Sequence, residues 1–203
     1  EAEKEKRLQD EYNRKFVRKN GILIKYNGSD SVVELPKDVT VIGEQAFYKS
    51  SIEKVIFHNK IEEIQNSAFS YSSIKEVTIP KSVKILGDGI FSQCVLLEYV
   101  EILSNIKITP KNFCAGCSHL TKLVISGGVE EIGKSFTGCT SLEFLNLPKS
   151  VKKIDDFAFS GCTGLKHIKL ENPEIQIGRR AFLASHPENR EQLISVYGEQ
   201  IFK

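Results

Sequence analysis

Cys114-Ala115-Gly116-Cys117 is the stretch of this 203-residue chain with the clearest chemical potential. A C-x-x-C spacing brings two thiols onto one turn, where they could bind a soft metal or cycle through a disulfide. A structural zinc needs four ligands, and no second pair stands at zinc-finger spacing. The four histidines, His58, His119, His167 and His186, are scattered and sit beside no nucleophile motif. No G-x-S-x-G, P-loop or H-E-x-x-H occurs. Gly127-Gly128 reads as a turn after a strand, and Glu130-Glu131 and Asp155-Asp156 as solvated turns. No catalytic residue, metal ligand or cofactor is expected, and the chain is read as not an enzyme.

What positions the cysteines is a repeat. Phe47, Phe69, Phe91, Phe113, Phe136, Phe159 and Phe182 recur at spacings of 22, 22, 22, 23, 23 and 23 residues. A period of this length marks a solenoid, each repeat forming one coil stacked on the last. Cys94, Cys117, Cys139 and Cys162 share one column, three residues before the leucine that opens each strand segment. Cys114 follows Phe113, in a column otherwise held by Ser70, Ser92, Thr137 and Ser160. Both members of the C-x-x-C are therefore scaffold positions, where a buried thiol acts as a small hydrophobe.

The rest of the repeat follows the same register. An aliphatic residue stands five before the phenylalanine at Ile42, Ile64, Leu86, Ile108, Ile154 and Ile177, whereas Ile132 stands four before Phe136. After the phenylalanine comes an L-x-x-L-x-L stretch, from Ile52-x-x-Val55-x-Phe57 to Leu165-x-x-Ile168-x-Leu170. Its period of two reads as a strand with one buried face. Strands one repeat apart run in the same direction, so six of them should form one parallel sheet. The segment around each phenylalanine is too short for a crossover helix and should be a short helical or 3-10 turn.

The stretch from Leu147-Pro148-Lys149-Ser150-Val151 through Ile154-Asp155-Asp156-Phe157-Ala158-Phe159 to Cys162 and Leu165 resembles a BspA-type leucine-rich repeat, with Asp155 in place of the usual glycine. The similarity spans about residues 36–183. Coils four and five depart most, through Pro110, Asn112 and a one-residue deletion before Phe136. The resemblance implies a right-handed solenoid and surface or secreted proteins, often linked to adhesion or protein binding. The fold class is thus α/β: a horseshoe-like leucine-rich-repeat solenoid, with a parallel sheet on one face, short helical or 3-10 turns on the other, and terminal helices as caps.

Three segments are expected: a charged helix or linker over 1–20, the repeat domain over 21–183 with a hairpin-like N-terminal cap, and a C-terminal cap over 184–203. In the first, Leu8, Tyr12 and Phe16 form a narrow apolar stripe on a helix over 1–18, either capping or linking, or a coiled-coil segment. Gly21 to Gly28 alternates and ends in Asn27-Gly28, which predicts a hairpin. Ser185-His186-Pro187-Glu188 predicts a capping box opening a helix over 187–197. Residues 1–20 carry seven basic and five acidic residues, which leaves 21 of each in the remainder. That balance argues against nucleic acid, and no apolar run is long enough to insert in a membrane.

Alternation places Lys54, Glu76, Tyr99, Lys122, Phe144 and His167 in one outward column, and Ile56, Thr78, Glu101, Val124, Asn146 and Lys169 in the next. Tyr99, Val124 and Phe144 are apolar where water is expected, so the candidate binding residues are Tyr99, Glu101, Lys122, Val124, Phe144, Asn146 and His167, with Tyr99 and Phe144 as anchors. A terminal helix or loop covering them is the competing reading. The expected function is a monomeric protein- or peptide-binding adhesion module; the alternatives are a spacer within a larger surface protein and a carbohydrate or small-molecule binder. Stacked cysteine columns hold Cβ atoms about 4.8 Å apart, beyond disulfide range. Mass spectrometry after alkylation under non-reducing, denaturing conditions should find five free thiols; any protected pair contradicts the register.

Overall fold

The computed structural model describes residues 1–126 and 128–203; the expected turn at Gly127 lies outside them. The chain opens with α1 (Ala2–Lys15) and a hairpin of β1 (Phe16–Lys19) and β2 (Ile22–Tyr26). Longer and shorter strands then alternate. The longer are β3 (Val32–Glu34), β5 (Lys54–Ile56), β7 (Glu76–Ile79), β9 (Tyr99–Ile102), β11 (Lys122–Ile125), β13 (Phe144–Leu147) and β15 (His167–Leu170). The shorter are β4 (Val41–Ile42), β6 (Glu63–Ile64), β8 (Ile85–Leu86), β10 (Ile108–Thr109), β12 (Glu131–Ile132), β14 (Lys153–Ile154) and β16 (Gln176–Ile177). Helix α2 (Arg190–Tyr197) and a 3-10 turn (Glu199–Ile201) close the chain.

The longer strands pair in parallel, as alternation requires, but not in one sheet. They form a five-stranded sheet, β3 to β11, and a separate pair, β13–β15. The expected turn lies around each phenylalanine, where Tyr48 N donates to the Gln45 carbonyl at 3.0 Å and Ser50 N to that of Phe47 at 3.1 Å, but before it stand unexpected two-residue strands. These strands form their own parallel sheets, β2-β4-β6-β8 and β10-β12-β14-β16. Around the phenylalanine the backbone bonds to the next coil: Phe47 N donates to the Ala68 carbonyl at 2.7 Å, and Phe69 N to Ile90 at 2.9 Å. N–H groups thus bond alternately within the turn and to the next coil, which satisfies the backbone without a continuous helix. The close approach also explains the glycine after the aliphatic residue: a Cβ at Gly43 would lie 2.6 Å from the Leu23 carbonyl oxygen, and at Gly178 2.4 Å from Asp156 N.

All seven phenylalanines are buried. Their rings form a spine with centroids 4.8 to 6.1 Å apart. Tyr26, Phe16 and Tyr12 extend it at one end and Phe202 at the other. Most phenylalanine pairs stack within 20°, but Phe113 meets both neighbours edge-on, at 85° and 83°.

The hydrogen bonds explain that exception and correct the repeat register in coil four. The residue that matches Phe91 and Phe136 in the backbone ladder is Cys114: Phe91 N donates to the Phe113 carbonyl, and Cys114 N to that of Ser135, both at 2.8 Å. Cys114 therefore belongs to the phenylalanine column rather than the serine column, and Phe113 reaches the spine from one residue earlier. The aliphatic column shifts too. Thr109, not Ile108, pairs with Ile132, so Thr109 is buried and Ile108 is exposed. The Thr109 hydroxyl lies 2.6 Å from the buried Ser135 hydroxyl and accepts from Gly133 N at 3.0 Å.

The ends differ from the sequence reading as well. The hairpin turns at Asn20-Gly21, whose φ values of 51° and 76° are both left-handed, as a two-residue turn with an Asn-Gly centre requires. Helix α1 stops at Lys15, so Phe16 lies in a strand, and α1 itself buries no residue. Tyr26 and Phe16 cover the first coil instead. At the far end α2 begins at Arg190 without a side-chain cap, and Ser185, offered as that cap, donates instead to the Cys162 carbonyl at 2.9 Å. Leu193, Ile201 and Phe202 are buried there.

Two substitutions test this packing. Phe113→Ala should cost roughly 3–5 kcal/mol in denaturant unfolding. Thr109→Val, which leaves the buried Gly133 N–H without its acceptor, should cost about 1–3 kcal/mol despite its matched shape.

Candidate functional site

The outward face of the longer strands carries most of the residues selected from the sequence. Parallel pairing sets Lys54 beside Glu76, Glu76 beside Tyr99, and Tyr99 beside Lys122. Phe144 pairs with His167 in the separate two-stranded sheet. Tyr99 and Phe144 thus stand on different sheets, on either side of a break between β11 and β13.

The side chains are mostly engaged with one another. Lys54 and Glu76 form an ion pair. The Lys122 ammonium lies 5.2 Å from the centre of the Tyr99 ring. Burial, then the charge of Glu101, raises the Tyr99 phenol above its ordinary pKa. Thr78 donates to Glu101 at 3.1 Å. Val124 is half-buried, whereas Asn146 is exposed. Phe144 is 58% exposed, and its ring stacks on His167 at 4.9 Å and 18°. His167 Nδ1 lies 3.5 Å from a Glu188 carboxylate oxygen.

Strand β5 pairs with β7 only at Lys54 and Glu76. Beyond that pair a groove of about 310 Å³ lies along Ile56, Phe57, Thr78, Pro80 and Tyr99. The sequence reading missed this groove. Its one signal was Phe57, an aromatic where the later coils have isoleucine or leucine.

The cysteines lie inside the solenoid. All five are buried with free thiols. Cys94, Cys117, Cys139 and Cys162 donate to the carbonyls of Phe69, Phe91, Cys114 and Phe136 at 3.0 to 3.3 Å. Each acceptor holds the phenylalanine column of the preceding coil, so the thiols bond coil to coil. Burial pushes the Cys94 thiol up to about 12 and raises that of Cys114. Among the described residues no group of three His, Cys, Asp or Glu side chains could hold a metal. The acidic pairs also serve the stacking. Glu130 takes Lys107 and Lys152 from the coils on either side, at 2.5 and 2.6 Å. Those two ammonium groups lower its carboxyl to about 2. Glu131 pairs with Lys153, which also holds Asp155.

The family described as BspA type Leucine rich repeat region matches residues 26–136 and 132–192, in six copies. No curated protein matches the chain. Among solved structures, a leucine-rich repeat protein from Eubacterium ventriosum superposes with a TM-score of 0.76 at 26% identity, covering 85% of this chain and 50% of its own. One from Bacteroides ovatus gives 0.61 at 26% identity, covering 85% and 53%. The T. pallidum leucine-rich repeat protein shares the fold, with a TM-score of 0.52 at 19% identity and 86% of both chains covered. The chain spans about half the length of the first two.

The Glu130 ion pairs have a defined pH signature. The carboxyl is depressed in the folded state, so its stabilising effect is present above the ordinary value of 4.5 and fades as pH falls toward about 2. Glu130→Gln should melt below the parent at pH 6, and the gap should close near pH 2. A gap of unchanged size across that range would show that these pairs add no stability.

Proposed function

Because the chain belongs to the BspA-type leucine-rich repeat family, we propose that it is a non-enzymatic recognition module whose longer-strand face binds a protein or peptide. The observation that carries this reading is Phe144, a large aromatic 58% exposed on a strand. Its ring stacks on the His167 ring of the neighbouring strand. Tyr99, held under Lys122 and bordering the groove at β5 and β7, supplies the second anchor. Glu101, Lys122, Val124 and Asn146 supply the mixed polar rim of such a patch. Interface energy concentrates in a few aromatic anchors of this kind.

The right-handed coil, the capping role of the terminal segments and the division at 20 and 183 belong to the same reading, with Phe16–Lys19 joining the repeat body. So does a monomer at the cell surface or secreted, which the family resemblance supports. No described helix is long and apolar enough to cross a membrane.

The test is panning of a displayed random-peptide library on the parent protein. The selected peptides should lose most of their binding to the Tyr99→Ala/Phe144→Ala double variant, whose melting temperature should match the parent. Equal binding to parent and variant would place recognition elsewhere.

A further inference from the structure

We propose a second binding site on the turn side of the coils holding Phe47, Phe69 and Phe91, made for a neutral oligosaccharide. The first observation is an exposed aromatic that the repeat does not require. Tyr71 is 53% exposed at φ 60°. The left-handed backbone belongs to the whole column, which holds Lys49, Gln93 and Ala184 at φ 56° to 66° and Gly116, Gly138 and Gly161 at φ 75°. None of those coils places an aromatic there, so the Tyr71 ring serves neither the backbone nor the core.

The second observation is the company Tyr71 keeps. Tyr48 of the preceding coil is also exposed. The two rings meet edge-on at 5.7 Å and 76°. The Lys49 ammonium lies 5.2 and 6.0 Å from the two ring centres. The rings border an open groove of about 510 Å³ whose lining contains no aliphatic side chain and includes Gln45, Asn66, Asp88 and Asn112. Two of these planar groups are fixed by one atom each. Asn66 Oδ1 accepts from Asp88 N at 2.8 Å, and Asp88 Oδ1 from Lys111 N at 3.0 Å. The amide nitrogen of Asn66 and the second oxygen of Asp88 remain as a donor and an acceptor held in place.

These features select among ligands. An apolar peptide side chain would find no pocket to fill. A polyanion would meet the Asp88 and Glu44 carboxylates in the groove. A sugar offers a face of polarised C–H groups, and an aromatic ring face attracts the positive end of such bonds as it attracts the Lys49 ammonium. Sugar hydroxyls both donate and accept, which matches the amides and carboxylate beside the rings. The groove is open rather than enclosed and crosses several coils about 4.8 Å apart, so it suits a chain of sugars better than a single ring.

The experiment follows the tyrosine ring resonances by NMR during titration with the neutral hexasaccharides cellohexaose, chitohexaose, maltohexaose and mannohexaose. At least one should shift both Tyr48 and Tyr71 at millimolar concentration. Tyr48→Ala should weaken that binding roughly tenfold. Tyr71→Gly should weaken it similarly while leaving the melting temperature unchanged or raised, which a purely structural tyrosine would not allow. No shift with any of the four sugars would overturn the proposal. So would a marked loss of stability in Tyr71→Gly, or tighter binding of a sulfated hexasaccharide than of its neutral counterpart.

Discussion

A backbone that circles back on itself every 22 or 23 residues must find partners for its polar groups on the neighbouring coils, and most features of this molecule follow from meeting that demand. On the turn side N–H groups reach forward to the next coil, as from Phe47 to Ala68, whereas beside the strands they reach back, as from Glu62 to Thr40 and from Lys75 to Glu53. A bulky residue pointing inward then lies directly over its equivalent in the next coil. The phenylalanine spine is the result: the same ring in the same place fills the solenoid's axis and leaves little room for another solution.

The thiols and exposed ion pairs repeat this logic at lower energy. A cysteine reaching the carbonyl of the preceding coil adds a second bond to an oxygen that already accepts from its own coil, as Phe69 does from Ser72 N and Phe91 from Cys94 N. Lysine–glutamate pairs such as Lys84–Glu62 and Lys166–Glu143 link adjacent coils across the surface. Each exposed pair contributes little on its own, so they favour the correct alignment more than they hold the fold. Coil four shows how far the demand can be bent. Its backbone keeps step with its neighbours, the Phe113 ring enters the spine edge-on, and the buried hydroxyls of Thr109 and Ser135 bond each other, the Pro110 carbonyl and Gly133 N.

With the interior committed to stacking, specificity is left to the surface. The two sides of the solenoid offer different chemistry. The longer strands present aromatics stacked with a histidine or beneath a lysine, whereas the turn side presents tyrosines beside fixed amide and carboxylate groups. Neither set is required by the repeat, since the column of Tyr71 holds lysine, glutamine, glycine or alanine in the other coils.

Periodicity alone determined the solenoid, the parallel direction of its longer strands, the buried phenylalanines and the outward column from Lys54 to His167, because each depends only on a side chain returning at the same phase of the coil. The structure decided what depends on the partner coil. A ring one residue out of step is invisible in a ladder of phenylalanines, so Phe113 hid the fact that Cys114 and Thr109 keep the register. A short segment reads equally as turn or strand until its hydrogen-bond partners are known, which is why the second set of sheets was missed. Asn27-Gly28 and Asn20-Gly21 carry the same turn signal. Only the stacking of Phe16 on Tyr26, and of Tyr26 on Phe47, selects the second by closing the open end of the spine.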